Sequence, residues 1–337
     1  MKLAVLLLMA ASATASTTFE EAFRAGLLAL QRSDFKAAEE NLTAAARLAP
    51  MDARVWVALA RTYWKLNQAQ KADQAAAKAE SLGGTQPLVL STLAIYYADS
   101  GRTLQAADAT ARYAALAPTD APARERAESL YFDAVQPLLQ QQKFDEAISI
   151  LTKATKQLPG SAQLELALGV ALYGMRRFDD AATAFLRTIV IAPEIERPYQ
   201  FLGKFLGQIP GRLPELTQQF VRYETAHPDR ALGYLLHAKA LNAQSIDTDA
   251  ARRLLEKATA LDEHEPSAHF ELGIVLERIQ LYSDAAREFA RAAALDPADS
   301  AAHYRLSRVY DRLGKHEEAR LEREIHAKLV AAEEAAR

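Results

Sequence analysis

Cysteine is absent from the 337 residues. That excludes disulfides, thiol nucleophiles and zinc-cysteine sites, and it is compatible with an oxidising compartment. Neither sign of charge dominates, since 40 Lys and Arg face 43 Asp and Glu for a formal net charge of −3. A nucleic-acid partner that needs a broad positive surface is thereby disfavoured. Long apolar runs are missing too. The stretch Leu3 to Met9 is far shorter than the roughly 20 residues a membrane-spanning helix needs. It follows Lys2 and precedes Ala13-Thr14-Ala15, and this order of charge, short apolar segment and small-x-small site reads as a secretory signal cleaved after Ala15. The mature protein is therefore expected to be exported, periplasmic or secreted, with no stable membrane span.

Signatures of chemistry are equally scarce. His264-Glu265-Pro266-Ser267-Ala268-His269 comes nearest to a metalloprotease helix. A metal wants histidines four apart on one helical face, however, and these are five apart with a proline between them. Asp262, Glu263, His264, Glu265 and His269 read as a solvated turn before they read as a cation site. Gly169 and Gly174 have the spacing of a phosphate loop's glycines, but Met175-Arg176 follows them where Lys-Ser is required. Asn41-Leu42-Thr43 fits a glycosylation acceptor but falls inside a helical pattern. No serine, histidine and acid grouping has a local signature. The expectation is a protein with no catalytic residue, no metal and no cofactor.

What is present is a recurrence. In Pro266 to Pro297, Leu272-Gly273 stand at places 7 and 8, Leu276 at 11, Ala285 at 20, Phe289 at 24, Ala292 at 27 and Pro297 at 32. The first half is apolar on more than one side, as a helix packed between neighbours should be. Glycine inside a helix costs roughly 1 kcal/mol against alanine, so Gly273 is there to let helices approach. The closing residues along the chain are Pro50, Gly84, Pro118, Pro159, Pro193, Pro228, Glu263 and Pro297, spaced by 34, 34, 41, 34, 35, 35 and 34. Place 20 is Ala38, Ala72, Ala106, Ala147, Ala181, Leu216, Ala251, Ala285 and Ala319. Place 8 is Gly26, Ala60, Ala94, Val135, Gly169, Gly203, Ala238, Gly273 and Ser307.

This order of residues over a 34-residue period resembles the tetratricopeptide repeat (TPR). The resemblance covers roughly residues 19 to 327 and implies an all-α fold: an α-solenoid, a right-handed superhelix of about nine helix-turn-helix TPR-like repeats. Local departures are Trp56 as the one tryptophan at place 4, Thr110 at place 24 and Ala29 at place 11. Seven extra residues fall within 119–126, and the first helix of repeat four then contains Pro137, which predicts either a kink or a helix ending near Val135. The organisation expected is a signal at 1–15, repeats one to three over 16–118, a linker or extended helix joint at 119–126, and repeats four to nine over 127–327. The last stretch, through 328–337, is expected to end a charged capping helix in which Glu324 and Lys328 can pair along one face.

The resemblance also implies function. In that family the first helices of successive repeats line a concave groove, with places 2, 5, 9 and 12 pointing inward. Carried onto this chain, the candidate peptide-binding residues are Arg54, Val57, Arg61 and Trp64 in repeat two, Ile95 in repeat three, and Val170 and Tyr173 in repeat five. Gln200 and Lys204 follow in repeat six, Lys239 and Asn242 in repeat seven, Phe270 in repeat eight, and Tyr304 and Arg308 in repeat nine. The lysine and asparagine of the family's chaperone-tail clamp are missing, because their places in repeat one hold Phe23 and Leu27. The expected function is a non-catalytic exported scaffold binding peptide or protein partners. The alternative is an assembly subunit of an envelope secretion, pilus or polysaccharide-export machine, with an enzyme further behind.

Overall fold

The computed structural model describes residues 18–335, and the expected signal segment lies outside them. Among the described residues there are eighteen α-helices and no strand. They follow the order of the repeat pattern along the chain, two helices to a repeat. Repeats one to three are α1 (Phe19–Gln31) with α2 (Phe35–Leu48), α3 (Ala53–Lys65) with α4 (Ala69–Gly83), and α5 (Pro87–Asp99) with α6 (Thr103–Leu116). Repeats four to six are α7 (Ala121–Gln140) with α8 (Phe144–Gln157), α9 (Ala162–Gly174) with α10 (Phe178–Ile191), and α11 (Glu196–Lys204) with α12 (Leu213–Ala226). Repeats seven to nine are α13 (Ala231–Gln244) with α14 (Thr248–Leu261), α15 (Pro266–Arg278) with α16 (Tyr282–Leu295), and α17 (Ser300–Arg312) with α18 (His316–Ala335). The chain divides into two compact units, an N-terminal one ending at Met175 and a C-terminal one starting at Arg176. Within each, the helices that pack extensively are neighbours in sequence or one removed, as an α-solenoid requires.

Place 20 is buried in every repeat: Ala38, Ala72, Ala106, Ala147, Ala181, Leu216, Ala251, Ala285 and Ala319 all have at most 1% of their surface exposed. The small residues at place 8 make room for large neighbours. A Cβ on Gly273 would stand 2.7 Å from the Phe289 ring, one on Gly26 would stand 2.5 Å from Leu42, and one on Gly203 would stand 2.4 Å from Leu236.

The turns have their own rule. Between the two helices of seven of the nine repeats, one residue takes the left-handed conformation: Ser33, Asn67, Gly101, Gln142, Arg176, Gln280 and Gly314 have φ between 57° and 75°, while repeat seven has two such residues, Ser245 and Asp247. That conformation lets the next amide reach back to the end of the first helix, as Gln68 does to the Tyr63 carbonyl at 2.9 Å and Leu281 to Leu276 at 2.9 Å.

Between repeats, the closing carbonyl is bonded by the side chain at place 4 of the next helix. Trp56 donates to the carbonyl of Pro50 at 2.8 Å, Tyr199 to Pro193 at 3.2 Å and Tyr234 to Pro228 at 3.1 Å. His269 and His303 set Nε2 at 3.1 and 3.3 Å from the carbonyls of Glu263 and Pro297. Burial pushes the Tyr199 phenol up to about 12, so it stays a donor. Where the next place 4 has no donor, an arginine supplies one: Arg112 reaches the Gly84 carbonyl at 2.5 Å, where the next place 4 is Leu90, and Arg124 reaches the Pro159 carbonyl, where it is Glu165. The closing carbonyls are thus bonded by four different residue types.

Residues 121–126 are helical. They are the opening turns of α7, a continuous helix of 20 residues with Asp120 as its N-cap. Pro137 sits in its last turn and does not end it at Val135. The junction with repeat three is tied by Asp108 of α6, which accepts from Gln157 of α8 at 2.9 Å and pairs with Lys153, while Tyr131 of α7 bonds Gln157 at 2.5 Å. In repeat six the added residue falls among two 3₁₀ turns, 206–208 and 210–212, and Pro214 lies in the first turn of α12 as its chemistry suits. In α18 only Ala319 is buried among the described residues, consistent with a polar end to the stack. There Glu324 pairs with Arg320 at 2.6 Å, and not with Lys328, because Arg320 already lies one turn before it.

Candidate functional site: the first-helix faces

In the N-terminal unit, the expected inward places divide into structural and available groups. Val57 does not line a groove. It is 3% exposed and belongs to the apolar core, because α3 packs against α5 as well as α4 and closes over that position. Arg54 is fully engaged: it bonds Asp52 at 2.6 Å and Glu20 at 3.2 Å and stacks over Phe19 and Phe23. Its guanidinium holds the Asp52 carboxyl below the usual range. Trp64 meets Tyr96 edge to face at 6.5 Å and is half-buried. Arg61 is half-buried, with an Nε atom that finds no partner. Ile95 of α5 is 45% exposed. Val170 and Tyr173 on α9 are half-buried.

In the C-terminal unit the same places form a more polar surface. Gln200, Leu232 and Leu235 line a cavity of about 360 Å³ together with Asp229, Arg230, Asp262 and Glu265. Lys239 and Asn242 are brought together by a residue the inward places do not include: Glu271 of the next first helix takes Lys239 at 3.2 Å and Asn242 at 3.4 Å. Glu277 and Arg305 make the same kind of cross-repeat pair at 3.1 Å. Lys204 is exposed beside Phe201, and Arg308 is exposed over Tyr304, itself 44% exposed. Phe270 is half-buried against Phe289.

Place 6, occupied by Glu271 and Arg305, is thus the position that sequence reasoning missed. Opposite charges at place 9 or 12 of one repeat and place 6 of the next, Lys239 with Glu271 and Glu277 with Arg305, were its available signal. Among the described residues, no group of three or more His, Cys, Asp or Glu could hold a metal ion. His269 uses both ring nitrogens, on Glu288 at 2.7 Å and on the Glu263 carbonyl.

Sequence profiles described as tetratricopeptide repeat match residues 138–199 with one profile and residues 23–87, 235–293 and 278–328 with a second, together more than half of the chain. The chain belongs to the tetratricopeptide repeat family. The TPR assignment therefore covers repeats in both compact units. Solved structures with a similar fold include the MamA fragment 41-end of Desulfovibrio magneticus RS-1, at 21% identity and a TM-score of 0.42 over 51% of this chain and 96% of that one. PilF of Pseudomonas aeruginosa gives 19% identity and a TM-score of 0.47 over 59% and 90%. TTC0263, a TPR protein of Thermus thermophilus, gives 20% and 0.43 over 51% and 98%. No curated protein matches this sequence. No helix of this TPR chain, among the described residues, is long and apolar enough to cross a membrane.

Proposed function

We propose that this TPR chain is a non-catalytic scaffold that is exported and holds segments of partner proteins against the faces of its first helices. The observation that carries the reading is the contrast between constant and variable places. Place 20 is small or aliphatic and buried in every repeat. Place 9 changes from Arg61 to Ile95, Val170, Lys204, Lys239 and Arg308, none of them buried. A stack that keeps its joints constant while its surface changes presents a different chemistry at each repeat, which suits recognition of an irregular polypeptide.

Charge reversal tests it. Lys204→Glu with Arg308→Glu should deplete specific partners from a crosslinked pull-down out of the native cells, whereas Arg222→Glu with Lys257→Glu, both exposed on second helices, should not. Equal capture by both variants would sink the reading. Export rests on the charged, apolar and small-residue order of residues 1–15. N-terminal sequencing of the mature protein should begin at Ser16, and retention of Met1 would remove that part.

A further inference from the structure

The seven residues added before repeat four do more than lengthen a helix. Together with α5 and α6, the opening turns of α7 wall a cavity of about 310 Å³. Ile95 and Ala98 form one side, and Pro122, Arg126 and Leu130 the other. This is the low end of the roughly 300–1,000 Å³ typical of ligand sites, room for one or two side chains and not for a cofactor.

The polar groups in its wall are already satisfied. Tyr113 donates to Asp120 at 2.9 Å, the other Asp120 oxygen caps the Ala123 amide at 3.1 Å, and Thr110 donates to the Ala106 carbonyl at 2.7 Å. On the same stretch of α7, Arg124 pairs with Glu128 at 3.6 Å and bonds the Pro159 carbonyl. Arg126 differs from all of these. It is exposed at the rim and, among the described residues, makes no ion pair or hydrogen bond. The cavity therefore offers an apolar floor open to solvent at Ile95, the Asp120 carboxylate held by two neutral donors in its wall, and at its exposed rim the Arg126 cation with no partner.

We infer that this cavity docks a partner segment that inserts one large aliphatic side chain next to an aspartate or glutamate, whose carboxylate meets Arg126. The inference rests on the scaffold reading above and names the chemistry recognised at one of its repeats. Charge complementarity selects the occupant. A basic neighbour at the rim would face Arg126 unpaired and a neutral one would leave it without a counter-charge, while the Asp120 carboxylate is already held by the Tyr113 hydroxyl and the Ala123 amide at the start of α7.

The probes are three end-blocked octapeptides, Gly-Ser-Ser-Leu-Asp-Ser-Ser-Gly and its Leu-Lys and Ala-Asp counterparts. They are titrated into the full chain carrying labelled Ile and Leu methyl groups. The Leu-Asp peptide should move the Ile95 and Leu130 signals. Arg126→Glu should weaken it about threefold to fivefold, the size of an exposed ion pair. Ile95→Asp, at a site too exposed to threaten folding, should weaken it at least about tenfold. Equal binding of the Leu-Lys or Ala-Asp peptide, signals that move only elsewhere, or shifts that grow with protein concentration alone and so report a second copy, would each overturn the inference. If first-helix variants lose partners while Ile95 and Leu130 stay still, the scaffold stands and this site falls. If neither responds, both fall.

Discussion

Replacing Gly273 with alanine sets two opposing effects against each other at a single atom. Alanine in place of glycine inside a helix contributes about 1 kcal/mol. The added Cβ, however, would lie 2.7 Å from both Cδ1 and Cε1 of Phe289 and 3.0 Å from its Cγ. The ring is fully buried and held edge-on by Phe270 at 5.7 Å, and contact at Cγ means that turning the ring does not relieve the clash. The stem must move, and overpacking of that kind costs about 1–3 kcal/mol. The net expectation is a loss of up to about 2 kcal/mol. Phe289→Leu, which removes the clashing ring edge, should make the glycine replacement less costly, a favourable coupling in a double-mutant cycle. Urea unfolding followed by far-UV circular dichroism reads this directly. Fluorescence would not, because both tryptophans, Trp56 and Trp64, lie in the N-terminal unit. A midpoint that rises on Gly273→Ala would refute the view that place 8 is small because the neighbouring helix needs the space.

Other outcomes follow from the turns, the ion pairs and the insertion. Gln280→Gly should stabilise by about 0.5–1 kcal/mol, since its φ of 63° is strained for a side chain, and thermal unfolding checks the sign. Asp108 should give the N-terminal unit an acid sensitivity. Burial alone would raise its carboxyl, but hydrogen bonds from Lys153 and Gln157 outweigh that and hold it below the usual value. A depressed folded pKa gives stability that is complete above the unfolded value of about 4 and lost as pH falls through the folded one, so Asp108→Asn should flatten the loss below about pH 4. Hydrogen exchange should find the amides of 131–139 protected like those of 168–172, because α7 is continuous and tied to α6 and α8 through Tyr131, Gln157 and Asp108. Faster exchange at 131–139 would make the joint a hinge.

The packed half of each repeat was readable because its constraint is steric and local. Alanine at place 20 and a small residue at place 8 are both what the helices need and what the sequence displays. The turns were less readable, since left-handed residues fell on Ser33, Asn67, Gln142 and Gln280 as well as on glycine, and only glycine announces itself. Place 4 hid its role for a related reason. Trp56, Tyr199 and His303 look unlike one another and share only an N–H or O–H at the right reach. The binding face was legible as a set of places and not as chemistry. Whether Arg54 is free or spent on Glu20, or Val57 open or covered by α5, depends on neighbours a whole repeat away. The extra residues before repeat four were visible as a spacing of 41, but the cavity they wall needed the direction of α7.

The central claim, that partners bind along the first-helix faces, is tested most directly by placing a photoreactive side chain at single surface positions and irradiating the native cells. Substitution at Gln200 and at Tyr304, both exposed on first helices, should give discrete crosslinked species, while Arg222 and Lys257 on second helices should give none. Crosslinks of equal yield at all four positions, or at Arg222 and Lys257 alone, would contradict it.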